Sequence, residues 1–142
     1  SVMGVRTWPM GDRPEVANLV KVAANYNIIH ALQALAESIS LVEDNGVNAE
    51  DFVELLSSTF FGGVVYSVYG NIIAKKEYLP AGFTIDLGLK DLTLAETAAR
   101  ASGNILPSAP VLREVFEAAL ADETLAGFDW AAIAEVTRKK SL

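Results

Sequence analysis

Cysteine is absent from the 142 residues, so neither a disulfide framework nor a thiolate metal site can be built. Histidine occurs once, at His30, and a single imidazole without cysteine makes no recognisable metal-ligand set. Charged residues are scarce, 20% of the chain, and the net charge of −7 is spread along it. That balance argues against neutralising a phosphate backbone, and no nucleic-acid partner is expected. No G-x-G-x-x-G follows a strand anywhere, so nothing in the sequence could cradle the pyrophosphate of a dinucleotide. Uninterrupted apolar runs are also missing. Val16 to Ala36 is long enough to cross a bilayer, but it carries Asn18, Lys21, Asn25, Asn27, His30 and Gln33. It reads as a buried helix of a soluble protein, with no membrane partner. Ser1 to Thr7 show neither a basic start before an apolar run nor a cleavage pattern, so a cytoplasmic location is expected.

What is present is 51% hydrophobic residues in a length that suits one domain, stabilised by packing alone. Asp12 and Pro14 read as a helix start and Asn45-Gly46 as its stop, giving a first helix from Pro14 to Asp44. Unbroken, it would measure roughly 46 Å, longer than a globule of this size at about 35 to 40 Å. It should protrude, bend near Asn25 to Asn27, or be covered by something else. Asn48 caps a second helix running to Thr59. After Gly62-Gly63 a third runs from Gly63 to Lys76, and a loop marked by Pro80 and Gly82 follows. A fourth spans Thr84 to Ser102 and stops at Gly103. Ser108 caps a fifth, Ala109 to Ala121, and Asp129 a sixth, Trp130 to Lys140. No strand pattern or internal repeat remains, so the expected fold is all-α, with about six helices and one long first helix.

Two sets of polar residues stand where packing would not put them. At about 100° per residue, Asn18 and Asn25 fall within about 60° of Lys21, forming one polar stripe. In a helix apolar nearly all round, that stripe either faces a wet cleft or partner, or is a lysine reaching solvent beside two solvated asparagines. In the fourth helix, Asp91 projects from an apolar face read as Leu87, Leu94, Ala95 and Ala98. A lone carboxylate there is costly unless something positive or hydrogen-bonding meets it, and Lys21 is the candidate. The alternative is an ion pair that only holds two helices together. His30, opposite Lys21, reads as a satisfied core or surface histidine. Trp8, Trp130, Phe60, Phe61, Tyr66 and Tyr69 read as core and interface aromatics.

The segment Lys21-Val-Ala-Ala-Asn25 matches the K-x-x-N-N signature of the β-hydroxyacid dehydrogenases. Phe83-Thr-Ile-Asp-Leu-Gly-Leu-Lys90-Asp91 matches that family's F-x-L-x-L-x-x-K-D segment. With these two anchors in order, the chain from about Trp8 onward resembles the C-terminal helical domain of that family, the NAD(P)-dependent relatives of 3-hydroxyisobutyrate and 6-phosphogluconate dehydrogenases. The resemblance implies that Lys21 is the general acid when a carbonyl is reduced and the base in reverse. It also implies that Asn25, with Asn18 beside it, holds substrate, and that Phe83, Lys90 and Asp91 line the cofactor side of the cleft or organise the lysine. NAD or NADP would be bound mainly by a Rossmann half that the sequence lacks. Residues 1–13 would be the remnant of the interdomain connection, and 14–142 the substrate-binding and dimerisation domain.

The sequence departs from the family pattern in two places. Glycines that usually lead into the lysine motif are replaced by Asp12, Glu15 and Ala17, and the first asparagine of the usual pair is Ala24. The lysine itself, which imine-reducing relatives replace, favours a small hydroxy acid or aldehyde as substrate. The expected activity is interconversion of a small β-hydroxy acid and its aldehyde or keto form, by a full-length protein in which this chain alone is inactive. A non-catalytic helical dimerisation or interaction module is the alternative. In the family the helical domains supply most of the subunit interface, so a homodimer or higher homo-oligomer is expected, with helix exchange possible.

Overall fold

The computed structural model describes Pro9 and residues 11–142. Trp8 and most of the leading segment therefore lie outside the described residues. Six α-helices carry the described chain, and its β structure is a single bridge between Thr84 and Asp129. They are α1 Pro14–Asp44, α2 Ala49–Ser58, α3 Gly70–Lys75, α4 Ile85–Ser102, α5 Ala109–Ala121 and α6 Ala134–Arg138.

α1 has the boundaries its sequence signals set, and it continues as one helix through Asn25 to Asn27. Its start differs in mechanism. Arg13 is the N-cap, with Pro14 in the first turn, and no side chain caps the amides, so Asp12 does not serve as a cap. Asn48 does cap α2, accepting from the Asp51 amide at 2.9 Å. At the start of α5 Ser108 fails to cap. Its hydroxyl lies 2.7 Å from His30 Nε2 and 3.1 Å from the Tyr26 hydroxyl, and these long-range partners have taken the oxygen away from the helix amides. The expected third helix resolves into a π-turn, Val65–Tyr69, followed by α3. The expected sixth begins as a 3-10 turn, Trp130–Ile133, capped by Asp129 as anticipated.

The core gathers along one side of α1, where Ile29, Leu32, Leu35, Ala36 and Ile39 are buried together with Val53, Ile73, Leu92, Phe116 and Ile133. Apart from Ala36, each of these side chains contributes about 1.5–3 kcal/mol when removed from water. The short α6 is locked to α1 by Arg138, whose guanidinium grips Glu43 at 2.7 and 2.9 Å, Glu135 at 2.7 Å and the Ile73 carbonyl at 2.9 Å. The hydroxyl of buried Tyr78 joins this network, donating to Glu135 at 2.6 Å.

Two expectations about coverage are corrected. Val16 to Ala36 is not largely covered: Ala17, Leu19, Val20, Ala23 and Ala24 are exposed, with Leu19 at 51%. The core packs against the later turns of α1, and its first turns lie largely exposed beside the end of α4. The buried face of α4 is Ile85, Gly88, Leu92, Ala95 and Ala99, while Leu87 and Leu94 are each 41% exposed. Gly88 turns the helix this way. A Cβ there would come within 2.5 Å of the Phe116 ring, so a bare glycine lets α4 lie flat on Phe116 and Trp130.

Candidate functional site

Lys21 and Asn25 stand one helical turn apart on α1, so their side chains share a face. Asn25 is half-buried and its Nδ2 donates to Asp91 Oδ2 at 2.6 Å, linking positions 66 residues apart in sequence. This bond is the one direct polar tie between the two motif segments. It satisfies the half-buried Asp91 carboxylate with a neutral donor, and it fixes the amide so that Asn25 Oδ1 has no protein partner among the described residues.

Lys21 itself is exposed and makes no ion pair among the described residues. The expected Lys21–Asp91 pair is thus replaced by Asn25–Asp91. The direction of the helices explains this. Asn18, Leu19 and Val22 of α1 line a shallow groove with Leu94, Ala98 and Ser102 of α4, so the helices run antiparallel. Moving back one turn from Asn25 to Lys21 therefore moves forward along α4, away from Asp91 and toward Leu94. Lys21 is left free at the edge of the Asn25–Asp91 pair. Asn18 belongs to the groove further along and not to the pair.

Phe83 and Lys90 bracket the other motif segment. Phe83 is half-buried just before α4 and leans on Trp130 with ring centroids 4.5 Å apart. Its position is set by Asp129, 4% exposed, whose carboxylate accepts from the amides of Gly82 at 3.0 Å, Phe83 at 3.3 Å and Ala131 at 2.9 Å. One oxygen of Asp129 caps the Trp130 turn as the sequence suggested. The other pins the Phe83 loop across 46 residues, a role with no local signal. Lys90 is exposed beside Asp91. An apolar ring edge and a cation without an ion pair among the described residues thus stand at the two ends of this segment.

The other polar candidates are accounted for within the fold. His30 is satisfied, as expected: Nδ1 lies 2.8 Å from the Tyr26 carbonyl, Nε2 2.7 Å from Ser108 Oγ, and the ring meets Tyr26 edge-on at 4.4 Å. No group of three or more His, Asp or Glu side chains among the described residues could hold a metal ion. No helix among them is long and apolar enough to cross a membrane. The aromatics divide. Trp130 is core at 3% exposed, whereas Phe60 is 86% exposed and Phe61 stacks on Tyr66 at 4.6 Å near the surface.

Comparison with known proteins agrees with this architecture. The helical fold is similar to that of a 3-hydroxyisobutyrate dehydrogenase from Salmonella typhimurium, with TM-score 0.81 at 19% identity over 91% of this chain and 45% of that one. A Mycobacterium tuberculosis 3-hydroxyisobutyrate dehydrogenase, described together with L-serine, matches with TM-score 0.70 at 25% identity over 84% of this chain and 42% of that one. In sequence the chain is 36% identical over 124 residues to the Bacillus subtilis oxidoreductase YfjR, covering 87% of this chain and 43% of the relative. The chain thus spans less than half the length of these relatives. A family model described as "NAD-binding of NADP-dependent 3-hydroxyisobutyrate dehydrogenase" matches residues 16–137, from the exposed start of α1 to the end of α6, and the chain belongs to that family.

Proposed function

We propose that this chain is the helical, substrate-side domain of an NAD(P)-dependent oxidoreductase that interconverts a small β-hydroxy acid and its aldehyde or keto form. The observation that carries the reading is the 2.6 Å Asn25–Asp91 bond beside an exposed, unpaired Lys21. A structural ion pair would have consumed the lysine charge. Here the carboxylate is satisfied by the amide, and the ammonium remains available to a ligand.

The residues divide the work by their donor and acceptor capacity. Asn25 offers Oδ1 to a substrate hydroxyl, because its Nδ2 is held by Asp91. Lys21, one turn away, carries the proton that the substrate oxygen gains on reduction and takes it back on oxidation. Asp91 acts through Asn25 as a positioning residue. A nicotinamide cofactor, held mainly by a nucleotide-binding half, would supply the hydride, and Phe83 and Lys90 are the residues of this chain that would line its side of the cleft. Without that half the 142-residue chain is expected to be inactive. The L-serine named with the mycobacterial relative favours a short hydroxy acid. A cytoplasmic site of action is part of the same proposal.

Lys21→Ala in the protein that unites both halves tests this. Loss of general acid–base assistance should lower kcat by about 10²–10⁴-fold with the fold unchanged. Turnover within about twofold of the parent would refute the role of Lys21 and favour the reading as a non-catalytic dimerisation module.

A further inference from the structure

Ser108 holds the N-cap position of α5 without capping it, and its hydroxyl lies instead between two side chains of α1. The roles of the atoms follow from their donor and acceptor capacity. His30 Nδ1 lies 2.8 Å from the Tyr26 carbonyl, which only accepts, so Nδ1 carries the proton of the neutral ring. Nε2 is then a bare lone pair, and the Ser108 hydroxyl donates to it at 2.7 Å. With that proton committed, the Tyr26 hydroxyl is the donor in its 3.1 Å contact with Ser108 Oγ. This order places a base on the proton whose removal makes a serine nucleophilic. The main-chain tie at Nδ1 fixes the ring and its tautomer, which is what a third group does beside a nucleophile–base pair.

Two further features adjoin the pair. Because Ser108 Oγ is turned to α1, the Val111 amide in the first turn of α5 has no hydrogen-bond partner among the described residues. An N-cap oxygen ordinarily reaches that amide, so an open donor neighbours Ser108 at the positive end of a 13-residue helix. Tyr26 is also one wall of an open, mostly apolar groove of about 290 Å³, shared with Leu19, Val22, Ala98 and Leu106. Ser108 itself is exposed, so a ligand lying along this groove has access to it.

We propose that Ser108 and His30 form a second reactive site, a serine nucleophile and its general base, which takes the acyl group of small aliphatic esters. The site lies on the side of α1 opposite Lys21 and does not depend on the function proposed above. Ser108 Oγ bonds to the acyl carbon as its proton passes to His30 Nε2. The ester C–O bond then breaks, and the alcohol leaves with that proton. Water, deprotonated by the same nitrogen, releases the carboxylic acid and restores the serine. The Val111 amide is the donor available to the charge that develops on the carbonyl oxygen. The groove beside Tyr26 takes the aliphatic chain, which is why an ester with an apolar acyl group is the substrate class named.

The test is covalent labelling of the two-half protein with an alkyl fluorophosphonate, mapped by peptide mass, alongside p-nitrophenolate release from p-nitrophenyl butyrate. Parent, Ser108→Ala and His30→Gln are compared, with circular dichroism reporting their folds. The phosphonyl adduct should map to Ser108 in the parent. Glutamine keeps a hydrogen-bonding group but removes the base, so labelling should slow by about a hundredfold or more in His30→Gln. Butyrate cleavage should fall to the buffer background in Ser108→Ala. Adducts confined to other residues, or a Ser108 adduct that forms as fast in His30→Gln as in the parent, would overturn the inference. An unlabelled Ser108 in the folded parent would overturn it whatever the variants do.

Discussion

Asn25 and Asp91 show how one amide can satisfy a carboxylate and leave a neighbouring lysine without an ion pair among the described residues. Asp91→Ala would strand the Asn25 amide, and loss of this hydrogen bond should cost about 1 kcal/mol of stability. In the two-half protein, kcat/KM should fall by tenfold or more, because Asn25 Oδ1 is no longer aimed. Thermal unfolding and steady-state kinetics on the same preparation separate the two effects. A second residue-scale prediction concerns pH. Hydrogen bonds from Lys139 and then Thr124 lower the Asp122 carboxyl to about 2 from its ordinary 3.8. A depressed carboxyl favours the folded state above its unfolded pKa, and this contribution fades as pH falls from 3.8 toward about 2. Carboxyl ¹³C titration should place Asp122 in that window and return it toward 3.8 in Lys139→Ala. An Asp122 that titrates normally in the parent would contradict the Lys139 contact.

At the scale of elements, caps and breakers were legible and directions were not. Pro14, Asn45-Gly46, Asn48 and Gly103 set boundaries by local chemistry, so the extents of α1, α2 and α4 could be read within about two residues. Ser108 could not be read, because its hydroxyl is claimed by His30 and Tyr26 from α1. The buried face of α4 was misplaced because Gly88 counts for nothing on an apolar scale and yet sits where the helix packs tightly on Phe116 and Trp130. The two motifs pointed to one region, but that Asn25 rather than Lys21 meets Asp91 follows from the antiparallel run of α1 against α4, which no local signal states. Gly88→Ala tests the packing directly. Its Cβ would meet Phe116 at 2.5 Å and Trp130 at 3.1 Å, so denaturant unfolding should show a loss of about 1–3 kcal/mol. Arg138→Met tests the tie between α1 and α6. It leaves Glu43 and Glu135 facing each other without their cation, and about 3 kcal/mol should be lost. A variant as stable as the parent would show that the ion cluster is replaceable by packing.

For the whole molecule, the open question in the sequence was what covers a helix longer than its domain. The described chain leaves the first turns of α1 largely open, with Leu19 51% and Val20 37% exposed. Together with exposed Phe60 and Phe61, this apolar surface should drive self-association, and sedimentation equilibrium is expected to give a dimer that Leu19→Glu weakens. A monomer at tens of micromolar without concentration dependence would show that the exposure is tolerated in water. The central claim is that this exposed end presents Lys21 as the proton donor and acceptor of a hydroxyacid dehydrogenase. Chemical rescue measures it most directly: turnover of Lys21→Ala in the two-half protein, followed by nicotinamide absorbance, with and without an added small primary amine. Activity lost in the variant and partly restored by the amine, in proportion to its unprotonated or protonated form according to reaction direction, is the expected result. A variant that turns over as fast as the parent, with no response to amine, would contradict it.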